Sequence, residues 1–436
     1  MELIGYEGEI GMGEQAYVEW SRIDVSAAGP RCKVLLGDLN NDGRMELLFV
    51  QADGGIDDRY VPHQVIALTA FTIDGQLLWQ VGEPRMDAGG PGSDYPVQIY
   101  DWDQDGSNEV LCVMDKELLV LNGHDGSVKR RLPLPAEYAH DCIIICNLRG
   151  TPEAQDIILK DRYRQLWAMD QDWNLLWSFK GNPGHFPYPY DLNGDGRDEI
   201  IAGYDVLDAD GKLMWSTQPL EDHADCIWVG DVLGRGDKQI VIGGSVTVMY
   251  DRDGNELWRY EGSIESQHIA LGRFMSTEPG LQIAGLDRIK RGDTGDKLKL
   301  SGRDGMFMLS QHGEELWKED RKTSGWLTII HTIRHWDSSE YDYILAYRRG
   351  GGVNPTIYDG QMNIVAQFTL DGYAVFGDLV QSGLEQVVIY SDQEAAIYGK
   401  LAPPPEAFEA GQQMDRRAIA QTKRLYSSTL YPGGEY

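Results

Sequence analysis

Short apolar runs separated by polar turns recur along the chain in a fixed order. In one unit, the run YPY at 188–190 leads into an acidic loop, and apolar segments follow at 199–203 and 205–208. The unit closes with DGKLMW at 210–215. Asp-Gly between apolar stretches is a strong signal for a β-hairpin. The pattern therefore predicts four short antiparallel strands per unit.

The closing segment, of the form DG-x-x-L-W, identifies the repeat elsewhere in the chain. It recurs at 74–79 and 253–258, and in degenerate form at 172–177 and 313–317. A bulky apolar residue that ends each unit is expected to pack in the core rather than to bind sugar. We therefore interpret the following as packing residues: Trp79, Trp177, Trp215, Trp258 and Trp317.

The number of units sets the architecture. Junctions between a first strand and its loop fall near residues 38, 101, 147, 191, 231, 273, 337 and 378. Eight four-stranded units predict an all-β fold, an eight-bladed β-propeller over residues 1–402. Seven blades is the alternative, because the last copy lacks a Leu-Trp strand, although the segment 17–20 can supply one and close the ring. Large β-sandwiches fit so regular a period less well. Residues 403–436 are expected to be a short tail packed on the outside or underside of the propeller.

Three of the loops carry the motif D-x-[ND]-x-D-G-x-x-E. Oxygen ligands at alternate positions, a glycine that permits the sharp turn and a final carboxylate are typical of Ca²⁺ sites. No helical pattern flanks these loops, so they are not EF-hands. We expect structural Ca²⁺ on this face of the propeller. The predicted ligands are Asp38, Asn40, Asp42 and Glu46; Asp101, Asp103, Asp105 and Glu109; and Asp191, Asn193, Asp195 and Glu199.

Charge and composition exclude several classes of partner. The net charge is −30, which argues against nucleic acid or an anionic membrane as a ligand. The five cysteines lack the spacing of a disulfide framework and are expected to be buried free thiols. The N-terminus shows no signal peptide, and no apolar stretch is long enough to span a membrane. We expect a cytoplasmic protein, although an extracellular one whose signal had been removed would look the same.

Histidines recur at the start of the innermost strand of consecutive blades. Equivalent positions in a propeller form a ring around the channel mouth, on the face opposite the acidic loops. Five histidines at one repeat position favour a functional ring, and the alternative is that duplication copied a structural histidine. The ring consists of His140, His185, His223, His268 and His331.

Positive and aromatic residues are predicted on the same face. In so acidic a chain, focused arginines indicate an anionic ligand, because a guanidinium grips a carboxylate through two hydrogen bonds. Salt bridges between blades are the alternative for any single arginine. The candidate substrate-binding residues are Arg162, Arg164, Arg288, Arg348, Arg349, Tyr95 and Asp225, with Tyr138, Tyr163, Tyr188 and Tyr190 also near the mouth.

Three segments resemble a known family. Residues 160–177, 184–215 and 267–285, together with the tail at 423–431, are similar to the eight-bladed family 11 rhamnogalacturonan lyases and their bacterial relatives with FG-GAP-like repeats. The resemblance implies a Ca²⁺-dependent enzyme that cleaves the rhamnose–galacturonate backbone of pectin by β-elimination. The sequence shows no N-terminal β-sandwich, carbohydrate-binding module or secretion signal, which favours either an intracellular enzyme that acts on imported oligosaccharides or a divergent relative with another specificity.

The chemistry of β-elimination assigns roles to the ring. A cation or Arg neutralises the uronate carboxylate, a base removes the C5 proton, and an acid protonates the leaving oxygen. We expect His185 or His223 as base, Arg162 and Arg348 as carboxylate clamps, and Tyr188 or His268 as acid. A glycoside hydrolase that uses Asp141, Asp222 or Asp225 is the second hypothesis. A non-catalytic glycan-binding propeller is the third.

Overall fold

The computed structural model describes residues 16–53, 64–88, 94–217, 223–263, 265–287, 305–319, 329–348, 352–408, 429–431 and 433–436. Within these residues the strands form eight antiparallel sheets of four strands each, one of which gains a fifth strand from the tail. The first strands of neighbouring sheets contact one another around most of the ring. The fold is therefore an eight-bladed β-propeller with the first strand of each blade innermost, as the repeat predicts.

Blades 1 to 4 follow the predicted order without interruption. Their strands are β2 (Lys33–Gly37), β3 (Glu46–Ala52), β4 (Val65–Phe71) and β5 (Leu77–Gly82); β6 (Val97–Tyr100), β7 (Glu109–Met114), β8 (Glu117–Asn122) and β9 (Val128–Pro133); β10 (Ile143–Cys146), β11 (Asp156–Asp161), β12 (Gln165–Met169) and β13 (Leu175–Lys180); and β14 (Tyr188–Tyr190), β15 (Glu199–Ala202), β16 (Asp205–Leu207) and β17 (Leu213–Ser216).

Blades 5 to 8 complete the ring. Their strands are β18 (Cys226–Gly230), β19 (Gln239–Gly243), β20 (Thr247–Asp251) and β21 (Glu256–Tyr260); β22 (Ser266–Gly272), β23 (Gln282–Asp287), β24 (Gly305–Leu309) and β25 (Glu315–Lys318); β26 (Ile329–Ile333), β27 (Tyr343–Tyr347), β28 (Thr356–Tyr358) and β29 (Ile364–Gln367); and β30 (Tyr373–Gly377), β31 (Gln386–Tyr390) and β32 (Glu394–Gly399) with β1 (Val18–Asp24). Two short 3₁₀ helices, Ser26–Ala28 and Pro405–Phe408, flank the ring.

The N-terminal strand closes the propeller. β1 pairs antiparallel with β32, from Val18 opposite Gly399 to Asp24 opposite Glu394. It supplies the outer strand that the last sequence repeat lacks, so the prediction of eight blades is confirmed. Because the first and last segments of the chain share one sheet, opening the ring would break a complete strand pairing.

The closing tryptophans join each blade to the next. The indole N–H of Trp79 donates to the carbonyl of Gly123, and that of Trp177 to Ala209. The same bond joins Trp215 to Arg252. The Asp-Gly turn that receives each ring has no room for a side chain, since a Cβ at Gly211, where φ is +77°, would lie 2.5 Å from Trp177. The tryptophans thus pack between blades, and the turn glycine is required there.

The described start of the tail packs on the propeller, where Ala407 is buried beside blades 1 and 8, whereas the last described residues lie inside the ring. Residues 434–435 form β33 (Gly434–Glu435), which pairs parallel with the innermost strand β18. Thr429 bridges to Asp94 in front of blade 2, and Tyr436 donates its hydroxyl hydrogen to Asp342. The end of the chain therefore runs through the central channel, from the histidine face towards the acidic-loop face, rather than along the outside or underside.

Two composition-based expectations can be compared with the structure. All five cysteines are buried and free. Within the described ranges, no helix has the length and apolar character that a membrane span requires.

Candidate functional site

Two histidines and two carboxylates meet at the channel mouth. His223 and Asp225 precede β18, and His185 precedes β14 in the adjacent blade. Nε2 of His185 lies 3.6 Å from Oδ1 of Asp225, and Nε2 of His223 lies 3.5 Å from the same oxygen. On its other side, Nδ1 of His185 lies 3.2 Å from Oδ2 of Asp94. Because an ionised carboxylate only accepts, Nδ1 of His185 carries the proton and Nε2 presents its lone pair to Asp225 and His223.

A buried ion network fixes Asp94. The guanidinium of Arg162 contacts Oδ2 of Asp94 at 2.5 Å and Oδ1 of Asp141 at 3.1 Å. Lys160, which is fully buried, pairs with Asp141 as well. Arg162 is only 4% exposed, so its charge is directed at these two carboxylates from blades 2 and 3. The structure thus places this arginine in inter-blade ion pairs, the alternative raised for it from sequence.

Two tyrosines enclose the histidines. The hydroxyl of Tyr163 lies 3.1 Å from Nε2 of His185, and its ring stacks on His223 with centroids 4.4 Å apart. Tyr431, from the tail, stacks on His185 at 3.7 Å and on His268 at 5.0 Å. Gln267 donates to the Tyr431 hydroxyl at 2.9 Å. The tail therefore packs directly against the histidine cluster.

The remaining ring histidines are separate from this cluster or touch it indirectly. His268 reaches it through Tyr431. His140 is buried and lies beside Tyr138, with ring centroids 6.2 Å apart. His331 stacks on Tyr347, and burial together with the charge of Lys33 lowers its pKa to about 3. Of the five predicted ring members, the structure brings His185 and His223 into direct contact.

The other predicted substrate-binding and acid residues are dispersed. Tyr188 and Tyr95 are buried in apolar clusters between blades. Arg164 is largely exposed and pairs with Asp161. Arg348 directly follows β27 and is half-buried. Three further candidates lie outside the described residues, namely Arg288, Arg349 and Asp222.

The sequence analysis missed three residues at this site. Asp94 stands before the first strand of blade 2, as His140 does in blade 3, so alignment of the repeats was a signal for it. Lys33 begins β2 and its ammonium bonds the carbonyl of Thr429. Tyr431 ends the tail segment at 423–431 that carries part of the family resemblance, but its contacts with His185 and His268 could not be predicted from that resemblance.

The histidine cluster has ligand atoms close enough together to hold a metal ion. The ligand atoms of His185, His223 and Asp225 all lie within 4.8 Å of one another. Separations of 3.5 and 3.6 Å are long for hydrogen bonds. They match the spacing of about 3 to 3.5 Å between ligands that share one ion at usual bond lengths. Two imidazoles and a carboxylate are ligands for a divalent cation, and the Asp94–His185 contact is the outer-shell bond that such ligands usually make.

The acidic loops on the opposite face are preorganised by their own hydrogen bonds. In the first loop, Oε2 of Glu46 accepts from the backbone N–H of Leu39 at 2.7 Å. Oδ2 of Asp38 accepts from Gly43, whose φ of +87° only glycine adopts readily. Glu199 accepts from Leu192 in the same way in the third loop. Burial, with a smaller contribution from Asp42 and Asp38, raises the pKa of Glu46 to about 9.

Comparison with curated proteins finds a partial similarity to a rhamnogalacturonan lyase. No family model matches the sequence. Among curated proteins, the chain is similar to the rhamnogalacturonan endolyase YesW of Bacillus subtilis (strain 168), with 28% identity over 227 residues. That alignment covers 48% of this chain and 32% of the relative, so the chain matches about a third of the relative's length.

Solved structures share the fold over nearly the whole chain. The exotype rhamnogalacturonan lyase YesX superposes with a TM-score of 0.66 at 17% identity, over 95% of this chain and 81% of that chain. The V. cholerae biofilm matrix protein Bap1 gives a TM-score of 0.59 at 14% identity, over 89% and 88% of the two chains. The resemblance to rhamnogalacturonan lyases inferred from the sequence is confirmed as a similarity, while the fold itself is shared with a matrix protein.

Proposed function

We propose that this chain is a polysaccharide lyase that cleaves a rhamnose–uronate linkage by β-elimination at the histidine face of its channel. The observation that carries the proposal is the convergence of His185, His223 and Asp225 at the mouth, with the Tyr163 hydroxyl bonded to His185. The names of two similar proteins, a rhamnogalacturonan endolyase and an exotype rhamnogalacturonan lyase, support the same reaction class and substrate.

Elimination from a uronate requires both a fixed positive charge and a proton-transfer group at the site. The C5 proton of a uronate is removed, and the substituent at O4 leaves. Removal is feasible only when the negative charge that spreads onto the carboxylate is stabilised, which requires a fixed positive group beside it. Proton transfer then needs a side chain within hydrogen-bond reach of the sugar.

A divalent cation would provide the fixed positive group that the uronate carboxylate requires. His185 and His223 would hold it through Nε2, and Asp225 through Oδ1. When bound, it would supply charge neutralisation at the uronate carboxylate. In this proposal the two histidines are ligands, whereas the sequence analysis expected one of them to be the base. Asp94 orients His185 by accepting from Nδ1.

Tyr163 meets the demand for a proton-transfer group. Its hydroxyl lies 3.1 Å from Nε2 of His185, so it would stand beside the proposed cation, and its ring is held by stacking on His223. The positive groups of Arg162 and Lys160 lie 5.1 and 5.8 Å from the centre of the same ring and help to hold it in place. Tyr163 accordingly exchanges a proton with the sugar.

The substrate is an anionic polymer or oligomer of uronic acid and rhamnose, as in rhamnogalacturonan, the component of pectin. Lys33 at the start of β2 and Arg348 at the end of β27 bring positive charge to the face on which the histidines lie. Positive charge on one face of a chain with net charge −30 attracts an anionic glycan there.

Ca²⁺ is proposed as a structural cofactor of the loops at 38–46 and 191–199. The supporting observation is that each loop is already folded around its acidic groups by backbone hydrogen bonds to Asp38 and Asp191. Oxygen ligands of this type suit Ca²⁺. These loops lie away from the histidine face, so their ions stabilise the blades rather than take part in the reaction.

The test is incubation of the protein with rhamnogalacturonan oligosaccharides and a divalent cation, read by ultraviolet absorbance and product mass. A lyase gives an unsaturated uronate that absorbs, with no water added. His223→Ala should abolish the signal, while His124→Ala, on the exposed β8–β9 turn, should not. Products that have gained water would make the protein a hydrolase, and binding without cleavage would make it a glycan-binding propeller; either would overturn the proposal.

A further inference from the structure

The acidic loop of blade 2 already contains a cation from the protein itself. The ammonium of Lys129, on the closing strand β9, lies 2.6 Å from Oδ2 of Asp103 and 2.7 Å from Oε1 of Glu109. It lies 3.1 Å from Oδ2 of Asp105 as well. A lysine ammonium has three donor hydrogens, and three carboxylates of the predicted Ca²⁺ set surround it.

The position of Lys129 in the repeat is specific. In each of blades 1 to 7, the closing strand has one bulged residue that the pairing with the third strand skips. Blade 2 places Lys129 there. The other six blades place an apolar residue at this point, namely Leu78, Leu176, Met214, Leu257, Leu316 and Val365.

The residue after Lys129 also differs from its equivalents in the other blades. Arg130 stands where five blades have their closing tryptophan, and its guanidinium donates to the carbonyl of Gln171 in blade 3 at 3.0 Å. This replaces the bond that an indole makes to the next blade elsewhere. Arg130 thus preserves the contact between blades, while the ammonium of Lys129 is turned towards the loop.

The loop of blade 4 provides the internal comparison. It has the same motif, but its bulge residue is Met214. No Lys or Arg side chain among the described residues makes an ion pair with Asp191, Asp195 or Glu199. In the loop at 38–46, Arg44 pairs with Asp42, so one of the predicted ligands there also has a protein cation beside it. The loops of blades 2 and 4 thus differ most: three predicted ligands pair with a protein cation in blade 2, and none of the described ion pairs involves those of blade 4.

We infer that Lys129 is the resident cation of the loop at 101–109, which therefore takes no Ca²⁺. The carboxylates of Asp101, Asp103 and Glu109 lie close enough together to share an ion. The cation at this position is the ammonium of Lys129, which already engages Asp103, Asp105 and Glu109. A Ca²⁺ ion in this loop would have to displace a lysine that also ties the closing strand β9 to the β6–β7 loop. The consequence is a blade whose loop is stable without calcium. This inference concerns the scaffold and is independent of the proposed reaction.

The test compares calcium stoichiometry in four single variants of the full chain by equilibrium dialysis and calorimetry. Lys129→Met, which copies blade 4, should gain one Ca²⁺ per chain relative to the unaltered protein, and Met214→Lys should lose one. If either fails to fold, Asp105→Asn and Asp195→Asn give the same information. The expected result is unchanged stoichiometry for Asp105→Asn and one ion fewer for Asp195→Asn. Loss of an ion in Asp105→Asn, or no gain in folded Lys129→Met, would overturn the inference.

Discussion

Asp94 and His185 are 91 positions apart in the chain, yet Oδ2 of the first accepts from Nδ1 of the second across 3.2 Å. Asp94 precedes blade 2 and His185 precedes blade 4, so the contact crosses the channel mouth. It fixes the tautomer of the imidazole and leaves Nε2 facing Asp225 and His223. The orientation of the site therefore depends on a residue outside the histidine ring.

Replacement of Asp94 by Asn should lower cation affinity at the histidine cluster and lyase activity by about 10- to 100-fold, since an amide no longer orients His185 as the carboxylate does. Isothermal calorimetry and initial rates measure both. Asp141→Asn is the matched control, because it also removes a carboxylate from Arg162. Both variants should lose stability; equal losses of cation affinity in the two would contradict the orienting role.

Replacement of Tyr163 by Phe should reduce kcat by about 100- to 10,000-fold, the usual range for loss of a proton-transfer group. The ring that stacks on His223 is retained, so cation binding and thermal stability should change little. Tyr138→Phe, at an exposed tyrosine beside His140, is the control. A variant with normal kcat would assign proton transfer to another group.

The scaffold could be predicted from the sequence because each blade of a propeller is marked by residues that lie close together in the chain. Each Asp-Gly turn and each closing Trp reports one blade, and the segment that begins at Tyr17 was recognised as the missing strand. Burial then follows from the alternation of apolar runs. The correct number of blades needed no long-range information beyond the count of repeats.

The site was less predictable because its contacts join distant repeats. The repeat pattern predicted that His185 and His223 lie on one face. It could not predict that Arg162 pairs with Asp94 and Asp141. A buried cation is stable only when paired, so the network that holds it is a property of the assembled ring. Tyr431 belongs to no repeat, and its position depends on the path of the tail through the channel.

Replacement of Tyr431 by Ala should destabilise the protein by about 3 to 5 kcal/mol, the usual cost of truncating a buried aromatic residue. The ring is 2% exposed and packs on His185 and His268, so activity should fall as well. Tyr431→Phe keeps the ring, removes the hydrogen bond from Gln267 and should cost about 1 kcal/mol. Urea denaturation separates the two, and an Ala variant as stable as the parent would argue against a packed tail.

The pH dependence of stability should include a contribution from His331. Burial and Lys33 lower its pKa from 6.5 to about 3, so between these values the unfolded chain binds a proton that the folded chain does not. Stability from this group is therefore complete above about pH 6.5 and is lost as the pH falls towards 3. His331→Gln should flatten the slope of unfolding free energy against pH in this window. His124→Gln, at an exposed position, should leave the slope unchanged.

Removal of Ca²⁺ should lower the thermal stability of the protein through two acidic loops rather than three. An ion present at a 100-fold excess over its dissociation constant stabilises the folded state by about 2.7 kcal/mol, so stripping two sites with a chelator should produce a clear decrease in Tm. Asp195→Asn should remove part of this chelator-sensitive stability, because no Lys or Arg side chain among the described residues forms an ion pair with the carboxylates of Asp191, Asp195 or Glu199, and Arg197 within the loop pairs with Asp210 instead. Asp105→Asn should leave it intact, since Lys129 and not Ca²⁺ neutralises that loop. Differential scanning calorimetry with and without chelator measures both effects. If the Tm of the unaltered protein does not change when chelator is added, Ca²⁺ is not bound at either loop.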